Sequence, residues 1–166
     1  MRTHLTSLLV VLAGASVPVA VHATDVVYAL TGSATTIVCP PEECTSGVTT
    51  TGSLTAGSVP PGAPTAGDFR LDLAWILQPT DPCRARGADG TLTINWSDGT
   101  ITVASVTGRF RDSKPALFVS GRVGAGSTGS IYQPGDPCRS VVNALPEDPC
   151  VAGTVAVTGE VELRTK

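Results

Sequence analysis

Beyond residue 23, apolar residues recur at every second position, and no stretch sets them at the three-to-four spacing of a helix. The last segment is the clearest case. Val151, Gly153, Val155, Val157, Gly159, Val161 and Leu163 share one face, and Ala152, Thr154, Ala156, Thr158, Glu160, Glu162 and Arg164 the other. Phe69, Leu71, Leu73, Trp75 and Leu77 form a second apolar face, and Val26, Tyr28 and Leu30 begin a third. Period-two alternation is the signature of a strand buried on one side. Read this way the chain holds eight strands, near 25–38, 47–56, 67–78, 91–97, 100–111, 116–124, 128–132 and 151–164. Gly32, Gly121, Gly153 and Gly159 fall on apolar faces, where a sheet can bend sharply or another backbone can approach. The pattern predicts an all-β fold of antiparallel strands in a closed or nearly closed barrel. A two-sheet sandwich is the alternative, although the immunoglobulin spacing of Cys, Trp and Cys is absent.

Asp98-Gly99 reads as a two-residue hairpin turn, which needs positive φ at both positions. Folding about it pairs Trp96 with Ile101, Ile94 with Val103 and Leu92 with Ser105, with Trp96 and Ile101 facing the core and Asn95 and Thr102 facing out. The apolar parity then changes, from the odd Ile101 and Val103 to the even Val106, Gly108 and Phe110. That predicts a β-bulge near Ala104-Ser105.

The first 23 residues belong to a different regime. Arg2 is followed by an apolar run from Leu5 to Val21, and Val21-His22-Ala23 has the small-x-small form of a cleavage site. This predicts a secretory signal peptide over 1–23 and a single secreted domain over 24–166. No Cys follows the cleavage site, and the C-terminus ends in charged residues, so no membrane anchor is expected. Cleavage removes Arg2 and no acid, moving the net charge from −3 to −4. That mild acidity argues against a nucleic-acid partner.

Both histidines, His4 and His22, lie in the signal segment. A mature chain without histidine excludes Ser-His-Asp and Cys-His catalysis, imidazole metal ligands and a histidine pH switch. All five cysteines, Cys39, Cys44, Cys83, Cys138 and Cys150, remain. In an oxidising compartment they predict two disulfides and one thiol. Proximity favours Cys39–Cys44 and Cys138–Cys150, and a bond from Cys83 to Cys138 or Cys150 competes.

The most distinctive motif is a duplicated loop. Gln78-Pro79-Thr80-Asp81-Pro82-Cys83-Arg84 echoes Gln133-Pro134-Gly135-Asp136-Pro137-Cys138-Arg139, and Asp148-Pro149-Cys150 is a shorter copy. Asp and Pro make turns and Cys staples them, which is a purely structural reading. The functional reading sets both loops on one rim of a barrel, with Arg84, Arg86 and Arg139 as partner contacts. A protease inhibitor would present such a braced basic loop. Glu160 with Glu162, and Asp68 with Asp72 beside Arg70, look like solvated strand faces rather than the facing acids a glycosidase needs. Calcium on Asp81, Asp136, Glu147 and Asp148 lacks a loop of calcium-binding spacing. Tyr28, Trp75, Trp96 and Tyr132 are candidates for stacking on a sugar, but inward faces make core packing the better reading for the tryptophans. Asn95-Trp96-Ser97 fits the N-glycosylation pattern, yet it lies in a strand beside a tight turn.

Gly90-Thr91-Leu92-Thr93-Ile94-Asn95-Trp96-Ser97-Asp98-Gly99 resembles a hairpin of small secreted β-proteins from GC-rich Gram-positive bacteria, and Cys150-Val151-Ala152-Gly153-Thr154-Val155 is similar to their last strand. The resemblance implies an antiparallel fold and no particular activity, and the duplicated Asp-Pro-Cys-Arg loop departs from that pattern. The functional expectation is a secreted, non-enzymatic barrel that needs no cofactor or metal and binds a small molecule or an extracellular protein. A protease inhibitor and a carboxylate-dependent hydrolase are the alternatives.

Overall fold

The computed structural model describes residues 23–36, 47–110, 116–145 and 153–166, and for 81–84 the backbone alone. The signal segment through residue 22, Cys39, Cys44, Glu147, Asp148 and Cys150 lie outside the described residues, as do the side chains of Asp81, Cys83 and Arg84.

Eight antiparallel strands close into a barrel: β1 (Asp25–Thr36), β2 (Gly47–Thr55), β3 (Ala66–Gln78), β4 (Asp81–Trp96), β5 (Ile101–Phe110), β6 (Ala116–Val123), β7 (Pro137–Asn143) and β8 (Gly153–Arg164). Each strand pairs with its neighbours in sequence, and β8 closes on β1. The register, followed once round the barrel from Val26 through Leu163, Cys138, Gly121, Val106, Gly90, Leu73 and Val48, returns to β1 at Thr36, ten residues further on. That stagger tilts the strands by roughly 40° and gives a lumen about as wide as side chains can fill. Closure also leaves no unpaired strand edge.

Inward residues fill the lumen. Tyr28, Leu54, Leu71, Leu92, Ile94, Leu117, Val142, Val157, Val161 and Leu163 are fully buried. Each such side chain contributes about 1.5–3 kcal/mol through its removal from water. The wall turns at glycine corners. A Cβ on Gly90 would run into the Asp72 carbonyl, on Gly121 into that of Ser105, and on Gly159 into that of Val141, while Gly32 and Gly52 face each other across β1 and β2. The seams β1–β2, β3–β4, β5–β6 and β7–β8 thus each hold a site where only a glycine lets two backbones approach so closely.

Three strand expectations need correction. The seventh strand is Pro137–Asn143 rather than 128–132, which lies in the connection between β6 and β7. β4 begins at Asp81 rather than near 91, because its early inward positions are Ala85 and Ala88, too small to mark an apolar face. The turn after β4 has three residues, not two. Trp96 N donates to Thr100 O at 2.9 Å, Gly99 N donates to Trp96 O at 3.0 Å, and Gly99 takes φ +83°. This is the turn-plus-bulge geometry of a three-residue loop. The extra residue shifts the partner strand by one, so Ile94 opposes Thr102 and Leu92 opposes Ala104. Thr102, Ala104 and Val106 are therefore buried, and Ile101 and Val103 lie on the outer side. β5 keeps one parity throughout, and no bulge occurs at Ala104-Ser105. The register shift in this part of the barrel lies instead between β3 and β4, around Ile76 and Leu77.

Candidate functional site

At the barrel end that carries both Thr24 and Thr165, three aromatic side chains meet. The Tyr28 and Trp96 rings are 4.7 Å apart and the Trp96 and Tyr132 rings 5.5 Å. Tyr28 donates its one hydroxyl proton to the Pro64 carbonyl at 2.9 Å, so the hydrogen bond between the two tyrosines must be donated by Tyr132. Burial pushes the pKa of both phenols up. Trp96 in turn donates from Nε1 to Thr102 Oγ1. The other tryptophan, Trp75, is inward-facing and stacks on Phe110 at 5.5 Å. All four aromatic residues considered for sugar stacking are thus buried in the core. Among the described residues, Thr50 Oγ1, Trp75 Nε1 and Ser140 Oγ are inward polar atoms with no hydrogen-bond partner.

The outer wall has the opposite character. Arg70, Asp72, Asp89, Arg109, Arg122 and Arg139 project from it between threonines and serines. A membrane-spanning barrel reverses this arrangement, with an apolar band outward and polar groups inward.

One hollow of about 420 Å³ indents this wall across β2, β3 and β4. Its outward positions Gly47 and Ala74 oppose each other and supply almost no side chain, which leaves the depression. Thr49, Asp72 and Thr91 form one rim, because the register places them side by side, and Asp89 stands next to Ala74. Thr49 Oγ1 donates to Asp72 Oδ1 at 2.7 Å, and Arg70 Nε donates to Asp72 Oδ2 at 2.6 Å. The Arg70 guanidinium, with the Thr49 hydroxyl behind it, holds the Asp72 carboxyl below the usual carboxylate range, and Asp72 in turn pushes Arg70 up. Asp72 is therefore fixed in orientation, with its charge matched and lone pairs left over. The same hydroxyl row continues past the hollow, through Thr35 and Thr154 on one side and Ser105 on the other.

The partner-contact arginines do not share a rim. β4 and β7 run in opposite directions, so Arg84 and Arg86 near the start of β4 and Arg139 near the start of β7 belong to opposite ends of the barrel. Arg139 is a strand residue on the outer wall and lies 3.5 Å from Glu162, not on a protruding loop. The second copy of the repeated motif is structural. Asp136 Oδ2 accepts from Gln133 N at 2.7 Å, Gly135 takes φ +94°, and Cys138 enters the core. Among the described residues Cys138 is a free thiol, with Gly121 and Leu163 across the sheet from it, and Cys150, its expected partner, lies outside the described residues. Burial pushes its thiol up to about 12. Glu160 and Glu162 both lie on the outer wall, and Asp72 is tied to Arg70. None of these acids faces another across a cleft. Among the described residues no group of three His, Cys, Asp or Glu side chains is arranged to hold a metal.

The chain matches no protein family, no curated protein and no solved structure. The sequence sets Asp72 and Ala74 on one outward face of β3, but it does not reveal Thr49, Thr91 and Asp89 as their companions. These residues come from β2 and β4, and nothing local to either strand signals the hollow.

Proposed function

We propose that this chain is a secreted, non-enzymatic binding module whose barrel is a scaffold and whose partner is met on the outer surface. The filled lumen carries this reading. Tyr28, Trp96 and Tyr132 occupy one end, Trp75 and Phe110 stack further along, and Leu71, Leu92 and Val142 are fully buried between them, so an internal ligand would have to displace packed core. Of the two carboxylates that line the outer hollow, Asp72 is tied to Arg70, and Glu162 further round the wall lies beside Arg139, an arrangement that does not suit acid–base hydrolysis. Export after Ala23 and two disulfides among Cys39, Cys44, Cys83 and Cys150 belong to the same reading, with Cys138 as the odd thiol.

Native mass spectrometry of the exported protein tests it. The expected mass is that of a chain beginning at Thr24, four hydrogen atoms lighter than the reduced form, with no small molecule retained. A co-purifying apolar ligand would move the binding site into the lumen and overturn the surface reading. Tight inhibition of trypsin by the same preparation would favour the inhibitor alternative through the loop at Arg84.

A further inference from the structure

We infer that the hollow across β2, β3 and β4 is a carbohydrate subsite that takes a sugar unit of a neutral polysaccharide. The inference rests on the surface-binding reading above and names its site and ligand class.

A pyranose has two chemical sides, a ring of hydroxyls that are mostly donors to a protein and a patch of C–H groups that is apolar. The hollow answers both. Its floor at Gly47 and Ala74 is bare of polar side chains and is backed by Val48 and Leu73. Its rim presents hydroxyls from Thr49 and Thr91 and carboxylates from Asp72 and Asp89. A carboxylate is an acceptor at both oxygens, and the bonds it accepts are the stronger, charge-assisted kind. Asp72 arrives with its orientation already set by Thr49 and Arg70, so little side-chain freedom remains to be lost on binding. Its charge is matched by Arg70 at 2.6 Å, which favours a neutral hydroxyl-bearing ligand over a cation as the group it recognises. At about 420 Å³ the hollow lies within the usual range for small-ligand sites.

The surroundings suit a polymer rather than a free sugar. Thr35 and Thr154 extend the rim row on one side, with their hydroxyls 3.4 Å apart, and Ser105 extends it on the other. The strands that carry this row lie about 4.8 Å apart, close enough for one chain to meet several of its side chains in turn. Trp75 also lines the hollow but is largely buried and stacked on Phe110, so the contacts on offer are mainly hydrogen bonds exchanged with water, affinity for one unit is weak and the polymer is bound through repetition.

Native gel electrophoresis of the full mature chain through gels containing hydroxyethylcellulose or dextran, with carboxymethylcellulose as the charged comparison, tests the proposal. Retardation by at least one neutral polymer is expected. Ala74→Arg fills the hollow and engages its carboxylates, and Asp72→Ala removes the oriented acceptor. Each should weaken retardation at least fivefold. Thr91→Val, a milder change for the case that either variant misfolds by circular dichroism, should weaken it about threefold. Ser120→Ala, on the wall away from the hollow, should leave it unchanged. Absence of retardation by both neutral polymers, retardation by carboxymethylcellulose alone, or full retention by folded Ala74→Arg overturns the subsite. Release of new reducing ends from a bound polymer would instead overturn the non-enzymatic reading and leave the subsite standing.

Discussion

The indole Nε1 of Trp96 donates a 2.8 Å hydrogen bond to Oγ1 of Thr102, two buried groups on the strands flanking the three-residue turn. This bond exists only because the extra turn residue brings Thr102, and not Ile101, into the core. Thr102→Val keeps the shape but leaves the indole N–H unpaired, which costs about 1–3 kcal/mol. Ile101→Ala, on the outer side, should cost well under that. Urea denaturation of the two variants measures the difference, and equal losses would return the hairpin to a two-residue turn.

Thr50 Oγ1 and Ser140 Oγ make the opposite case, since both are buried without a partner among the described residues. Thr50→Val and Ser140→Ala each remove an unpaired polar atom from an apolar lumen. Both variants are expected to match the parent or exceed it by about 1 kcal/mol in urea melts. A loss larger than about 1 kcal/mol in either would reveal a partner for that hydroxyl.

The glycine corners make a paired prediction. Gly90→Ala and Gly159→Ala each drive a Cβ into the carbonyl of the adjacent strand, of Asp72 and Val141 respectively. Overpacking of this kind typically costs about 1–3 kcal/mol, and backbone cannot give way as a side-chain end can. Gly153→Ala meets nothing within 4 Å and should stay within about 0.5 kcal/mol of the parent. Thermal melts of the three variants should separate them into these two groups.

Cys138 governs part of the alkaline behaviour. Its thiol is pushed up to about 12 in the fold, whereas an exposed thiol titrates near 8.5. The native state therefore holds its proton where the unfolded chain has released it. The resulting stability is fully present below about pH 8.5 and is lost progressively as the pH rises towards 12, with the raised phenols of Tyr28 and Tyr132 adding to the loss. Cys138→Ala should flatten that decline between pH 9 and 11. With a thiol-reactive dye at pH 8, the folded parent should show no fast thiol and the denatured, unreduced parent one. A fast thiol in the folded state would place Cys138 at the surface.

The division of inward and outward residues along β1, β3, β6 and β8 was readable from the sequence, and so was the closed antiparallel barrel. Side-chain direction alternates within a strand, and the run of Phe69, Leu71, Leu73 and Trp75 reports it without help from any neighbour. The glycines at 32, 121 and 159 were readable as close approaches for the same reason, since a gap in an apolar face is a local fact, whereas Gly153, read the same way, stands in open space. What only the tertiary structure decided was alignment between strands. One residue more in the turn at Ser97–Gly99 moved β5 by one position and exchanged Ile101 for Thr102 in the core. Small inward residues at Ala85 and Ala88 concealed the start of β4, and the shift of the seventh strand to Pro137–Asn143 put Cys138 in the lumen. The hollow depends on the same alignment. Thr49, Asp72 and Thr91 are far apart in the chain and meet because backbone hydrogen bonds set β2, β3 and β4 in one register, a long-range choice made by the packing of the whole barrel.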